Sequence, residues 1–407
     1  MEAGNCTLSD ETSRPSSSPG VAALPPPSED ALRHSARLIE LLRSEIDSQG
    51  GWLSFSRFME QALYAPGLGY YVAGATKLGE AGDFITAPEI SPLFARALAR
   101  QVAQILERSG GDILELGAGS GRLAADLIAE LRELDRAPRR YYILEVSPQL
   151  REHQQITIER HLPQLAAQIE WLTSPPEDFH GVVIANEVLD ALPVHLVVWR
   201  DDGLYQRGVS WKDNVFSWDE RPLPPGPLHE AAEAAHAGAG FGAPYVSEIS
   251  LAAPALIRSL AASLHKGALL LIDYGFGRRE YYHPQRAQGT LMCHHRHRAH
   301  TDPFHLPGLQ DITAHVDFTA IAEAGIDAGL EFLGYTTQAQ FLINCGITQL
   351  LEQSSGDTVV GNISRTAGAQ KLLSPAEMGE LFKVIALGRG LDVSLFGFAS
   401  GDKSRLL

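Results

Sequence analysis

An apolar segment, DILEL (112–116), runs directly into Gly117-Ala118-Gly119-Ser120-Gly121, giving Glu115-x-Gly117-x-Gly119-x-Gly121. Glycines at this spacing let the backbone turn sharply and let a ligand lie against main chain where a Cβ would collide. A ligand-free glycine turn is the plain alternative, and the context argues against it. A dinucleotide asks for Gly-x-Gly-x-x-Gly, with a third glycine that packs helix on strand beside a pyrophosphate. Arg122 occupies that third position. S-adenosylmethionine (SAM) carries no phosphate and needs only close backbone approach, so the spacing favours SAM. Glu145 ends YYILE, 24 residues after Gly121, where an acid can accept both ribose hydroxyls of an adenosine. Glu177 and Asp178 are candidates for the adenine amino group, though ordinary loop acids fit them as well.

A second set of groups follows the apolar run GVVIA: Asn186, Glu187 and Asp190. Methyl transfer is an in-line displacement at a sulfonium carbon, so a protein chiefly has to align the acceptor and take or localise its proton. Glu187 and Asp190 suit an arginine, whose planar fork of N–H donors pairs with carboxylates and aims one nitrogen at the methyl. The alternative makes Asp190 a turn cap and Glu187 surface charge. Asn186, beside the same edge, is assigned to the cofactor. His315 is a candidate general base, against the alternative of a hydrogen-bonded structural histidine. Cys293, His294, His295, His297, His300 and His305 invite a metal, but Arg296 and Arg298 interleave and no ligand spacing such as HExxH occurs. No metal is expected.

These residues need an open α/β sheet to bring them to one edge. Strands are expected at Asp112–Leu116, Tyr141–Val146, Ile169–Leu172, Val182–Asn186, Ala268–Asp273, Glu331–Thr336 and Val393–Phe398, with helices at Arg122–Leu134 and Pro148–His161. This alternation predicts a doubly wound sheet carrying ligands at its carboxyl edge. More than eighty residues separate Asn186 from Asp273, too many for one crossover, so a large insertion at about 191–266 falls between strands 4 and 5. Residues 31–108 read as a helical N-terminal lid, with helices at Ser54–Tyr64 and Glu89–Glu107 and a PGLGYY loop between them. Residues 1–30, rich in Pro and Ser, read as a disordered leader. Near the C-terminus, Met378, Leu381, Phe382, Val384, Ile385 and Leu387 are spaced as the buried face of a helix.

Composition narrows the classes. A net charge of −16, from 49 acids against 33 bases, opposes broad binding to nucleic acid and favours a basic partner. No apolar run is long enough for a membrane span. Three scattered cysteines, Cys6, Cys293 and Cys345, make no disulfide framework.

Several segments together resemble the MidA-type methyltransferase family: ALYAPGLGYY, GDFITAPEIS, LELGAGSGRL, ANEVLDALPV, LIDYGFGRREYYHP, GTL followed by HRHR, and DITAHVDF. They spread from Met59 to Phe318, with weaker likeness to Gly346. The resemblance implies a class I SAM-dependent methyltransferase fold. Mitochondrial members are regarded as complex I assembly factors that make symmetric dimethylarginine. It also implies that Gly117, Gly119 and Gly121 form the SAM loop, that Glu145 is the ribose acid, and that Asp83 and Glu89 lie in a segment closing over SAM. The N-terminus lacks the Arg-rich amphipathic pattern of an organelle presequence, so a bacterial, cytoplasmic member is expected. The leading expectation is a protein arginine methyltransferase acting on a basic segment. The alternatives are an assembly protein that binds SAM without turnover and a small-molecule methyltransferase.

Overall fold

Seven apolar segments pair edge to edge because each has side chains to bury on both faces, and only a sheet covered by helices on both sides allows that. In the computed structural model, which describes residues 27–73, 85–164, 166–353 and 359–407, they are β1 (Asp112–Leu116), β2 (Tyr141–Leu144), β3 (Ile169–Leu172), β4 (Phe179–Asn186), β5 (Leu264–Phe276), β6 (Glu331–Thr337) and β7 (Phe382–Arg389). Their order is β3-β2-β1-β4-β5-β7-β6. The first five are parallel, and β7 runs antiparallel to both its neighbours. Chain direction across the sheet reverses between β1 and β4, which opens a crevice at their carboxyl ends.

Alternate residues feed the two cores. Leu270 and Ile272 of β5 face helices Pro92–Ser109 and Arg122–Glu133, while Leu269 and Leu271 face Ala252–Ser263 and Phe318–Asp327. Helix Ala252–Ser263 therefore serves as the ordinary crossover into β5, although it lies within the stretch expected to be insertion. The rest of that stretch folds as a helix, Pro227–Ala239, and strands His195–Arg200, Gly203–Lys212, Val215–Pro222 and Tyr245–Ile249, which join the short N-terminal strand Leu53–Ser54 in one antiparallel sheet. Helices Glu29–Ser48 and Phe55–Tyr64 pack on this sheet through Leu42, Phe55 and Phe58 against Leu196 and Val209. Cys293 and Ile312 of a small three-stranded sheet (Met292–His295, Arg298–His300, Asp311–Thr313) join the same core.

Three expectations need correction. The apolar run near the C-terminus is the strand β7, not a helix: it lies between β5 and β6 and is buried on both faces, so periodicity could not tell it from a buried helix. Val393–Phe398 is not a strand and holds only a short 3-10 turn, Phe396–Phe398. The helix expected at Glu89–Glu107 is two, Ala87–Ile90 and Pro92–Ser109. Pro92 forces Ser91 into an extended conformation, and the Ser91 hydroxyl accepts the Leu93 N–H at 3.3 Å. The leader expected over 1–30 falls almost wholly outside the described residues, and the first helix starts at Glu29, capped by Ser28. Among the described residues no helix is long and apolar enough to cross a membrane.

Leu270 is fully buried in the centre of the sheet, level with Ile184 of β4 and Ala386 of β7. Leu270→Ala is expected to cost about 2–5 kcal/mol of stability, read from urea unfolding, because packed sheet neighbours on both sides cannot close the void.

Candidate active site

The loop after β1 takes its shape from Gly117 and Gly119, whose φ values of 58° and 54° are left-handed. The Gly117 N–H donates to the Leu144 carbonyl at 3.1 Å, tying the loop to the end of β2. Both glycines face a cavity of about 860 Å³ at the carboxyl edge of the sheet. Gly121 does not line it. A Cβ there would fall 3.1 Å from the Cα of Gln154, so the third glycine is needed where helix Pro148–His161 crosses, not where a ligand lies.

Glu145, one residue past β2, is 6% exposed and also lines the cavity. One carboxylate oxygen accepts the Ser147 N–H at 2.9 Å, and the other accepts the Gln154 amide at 3.0 Å. Burial raises its pKa, and these donors oppose the rise. Each oxygen keeps a lone pair for a further donor. Glu115 lines the cavity too, but its side chain accepts the Tyr141 hydroxyl at 2.7 Å, and burial pushes it up to about 7.

The turn after β4 carries the other carboxylates. Glu187 sits at a left-handed φ of 54°, and one of its oxygens accepts the Ala87 N–H at 3.3 Å and the Asn186 amide at 3.2 Å. Withdrawal from water and the nearby Asp190 push it up to about 8. Asp190 is 6% exposed, and its Oδ2 accepts the Tyr274 hydroxyl at 2.5 Å. Burial pushes Asp190 up to about 6 against that hydrogen bond. The turn itself is held by Asp273, at the end of β5: its Oδ2 accepts the N–H groups of Val188, Leu189 and Asp190 at 3.2, 2.9 and 3.3 Å. His315 packs edge-on to Tyr274 at 5.2 Å between centroids, and burial, followed by Arg286 and Lys383, lowers it to about 4.

Asn186, Glu187, Asp190 and His315 therefore share one cavity with Glu115, Gly117, Gly119 and Glu145. Glu89 joins them and accepts the Ser120 hydroxyl, which latches the turn at Ala87–Ile90 to the glycine loop. Asp83 lies outside the described residues. Glu177 and Asp178 are exposed and do not line the cavity. Of the histidine-rich stretch, His294 reaches the cavity wall, while His295 Nδ1 bonds the Leu309 carbonyl at 2.7 Å. Among the described residues no group of His, Cys, Asp or Glu could hold a metal ion. Sequence reasoning missed Gln154, Asp273, Tyr274 and the stacked pair Tyr64 and Tyr71 (centroids 5.5 Å apart) on the cavity wall. An acid near the carboxyl end of β5, in LLLIDY, was the one available signal for Asp273.

Three buried polar atoms in this cavity, Asn186 Oδ1, Asp190 Oδ1 and His315 Nδ1, have no hydrogen-bond partner in the protein. Asn186 Oδ1 and Asp190 Oδ1 are acceptors, and unpaired buried acceptors are costly, so a ligand that brings donors is what they fit. The left-handed glycine loop and the Glu145 carboxylate line the same cavity, at the carboxyl edge of a sheet with the strand order of a class I SAM-dependent methyltransferase fold. Residues 94–336 match the family described as "Putative S-adenosyl-L-methionine-dependent methyltransferase", and the chain belongs to it. A crystal structure of a Burkholderia thailandensis protein bound to S-adenosyl-homocysteine is 51% identical with TM-score 0.91, covering 95% of this chain and 100% of its own. The zebrafish Danio rerio "Protein arginine methyltransferase NDUFAF7, mitochondrial" is 27% identical over 86% of each chain. The human protein of that name is 27% identical over 83% of this chain and 80% of its own. The cofactor is SAM.

Gly119→Val places a branched side chain at a left-handed φ in the cavity wall. The variant is expected to lose calorimetric binding of SAM and S-adenosyl-homocysteine while keeping a cooperative thermal unfolding transition, and a folded variant with unchanged affinity would remove this loop from the site.

Proposed function

We propose that the protein transfers the SAM methyl group to an arginine side chain within a basic segment of a protein substrate. One observation carries this reading: the described lining of the cavity includes Glu60, Glu89, Glu115, Glu145, Glu187, Asp190 and Asp311, and no lysine or arginine. Such a wall stabilises cations and repels anions. The named function of the curated relatives supports the same choice of acceptor.

SAM supplies the electrophilic methyl on its sulfonium. The chain's own groups then bind and orient the acceptor. Asp190 Oδ1, buried and without a partner, accepts an N–H of the guanidinium, while the Tyr274 hydroxyl fixes the other oxygen. Glu187, pushed up to about 8, keeps its proton at neutral pH in the free protein and releases it when an entering cation favours the carboxylate. As the nitrogen is methylated, one N–H bond breaks and its proton passes to Asp190. The stacked Tyr64 and Tyr71 offer aromatic surface to a cationic side chain.

Asp190 must be ionised for this step, and its pKa is pushed up to about 6. The value of kcat/KM for an arginine peptide is therefore expected to fall as pH drops through about 6, where Asp190 takes up a proton, and to level off only above about 8, where Glu187 has no proton left to release. Asp190→Asn should bind SAM with near-normal affinity yet lose about 100-fold or more in methyl transfer, measured by mass spectrometry of the peptide. Retained turnover removes Asp190 from the mechanism, and faster methylation of a free small guanidine than of the peptide overturns the protein substrate.

A further inference from the structure

Gln154 is fully buried on helix Pro148–His161, and its amide is almost completely used. Its Nε2 donates to Glu145 Oε2 at 3.0 Å and to the Gly119 carbonyl at 3.1 Å, and its Oε1 accepts the Trp171 indole N–H at 2.9 Å. Both amide hydrogens are therefore committed, one to the acid after β2 and one to the glycine loop after β1. The indole on β3 fixes which end of the amide faces them, because an inverted amide would set its oxygen against two acceptors. Gly121 allows the helix to approach closely enough for this contact, since a Cβ there would press on Gln154 at 3.1 to 3.4 Å.

We infer that Gln154 is a positioning residue that locks the Glu145 carboxylate and the Gly119 peptide into one rigid frame and thereby sets the affinity for SAM. The inference rests on the SAM site and not on the identity of the methyl acceptor. A frame preset by one amide spares the ligand the cost of ordering two loops when it binds. Glutamate has no hydrogens for the two acceptors, and methionine has no donor for either of them.

The charged groups facing this position are Glu145 itself, Glu115, whose carboxyl feels the charge of Glu145, and Arg151, whose guanidinium bonds the Glu145 carbonyl at 2.7 Å. Gln154→Glu would place a second carboxylate beside Glu145. The two acids would share one proton, and only a protonated one can donate.

Calorimetric titration with SAM and S-adenosyl-homocysteine tests the inference, with the ligand-free thermal midpoint as a check on folding. Gln154→Ala is expected to weaken both ligands by about tenfold or more, the cost of leaving buried groups unpaired, while kcat at saturating SAM changes much less than the KM for SAM. Relative to Gln154→Ala, which keeps the background titration of Glu115 and Glu187, Gln154→Glu is expected to gain affinity as pH falls from 8 to 6. Trp171→Phe, which removes only the donor that fixes the amide, is expected to give a smaller loss and covers the case in which the Gln154 variants do not fold. Wild-type affinities in a folded Gln154→Ala, or in Trp171→Phe where the former does not fold, would overturn the inference, as would a loss confined to kcat.

Discussion

The site depends on a carboxylate that never touches the cavity's contents. Asp273, 1% exposed near the carboxyl end of β5, saturates one oxygen with the N–H groups of Val188, Leu189 and Asp190 and the other with the N–H of Tyr274 at 2.9 Å. Burying that acid is tolerable only because four donors surround it. Their convergence fixes the turn after β4 to the tip of β5. Glu187 adds a backbone bond to the Ile272 carbonyl at 2.9 Å and accepts a left-handed φ to make it. Asp190 is pinned from three directions: its N–H by Asp273, its carbonyl by Ala314 at 3.0 Å, and its carboxylate by Tyr274. Rigid acids at the switch point of the sheet are the result.

The rest of the chain closes that edge. The N-terminal helices, the antiparallel sheet and the small three-stranded sheet share one apolar core, so they act as a unit packed above the strand ends. Tyr64 reaches from this unit to the Ala191 carbonyl at 3.0 Å, and Tyr71 to Asp311 at 2.9 Å. A low-dielectric enclosure strengthens every contact made by the carboxylates inside it.

Much of the sheet was legible in the sequence because parallel strands buried on both faces are short apolar runs ended by glycine or acid, as DILEL and GVVIAN are. The glycine loop, Glu145 and the Asn186–Asp190 turn could be placed because each follows such a run directly. The same physics hid β7: a central strand apolar on both faces shows no alternation, and its Phe382, Val384, Ile385 and Leu387 fit a helical stripe equally well. Gln154, Tyr274 and Asp273 were out of reach for another reason. Their roles arise from contacts across 9 to 85 residues of sequence, as in Gln154 to Glu145 and Asp273 to Val188. Gly121 shows the converse: its spacing marked it for the ligand, while the fold uses it to seat a helix.

An arginine acceptor requires the acidic cavity to select positive charge. Calorimetric titration of the protein saturated with S-adenosyl-homocysteine tests it most directly, using an arginine-containing basic peptide and the same peptide with citrulline in place of that arginine. Citrulline keeps the shape and loses the charge. The arginine peptide is expected to bind at least about tenfold more tightly, through charge-assisted hydrogen bonds to buried carboxylates; equal affinities, or tighter binding of the citrulline peptide, would rule out selection by charge.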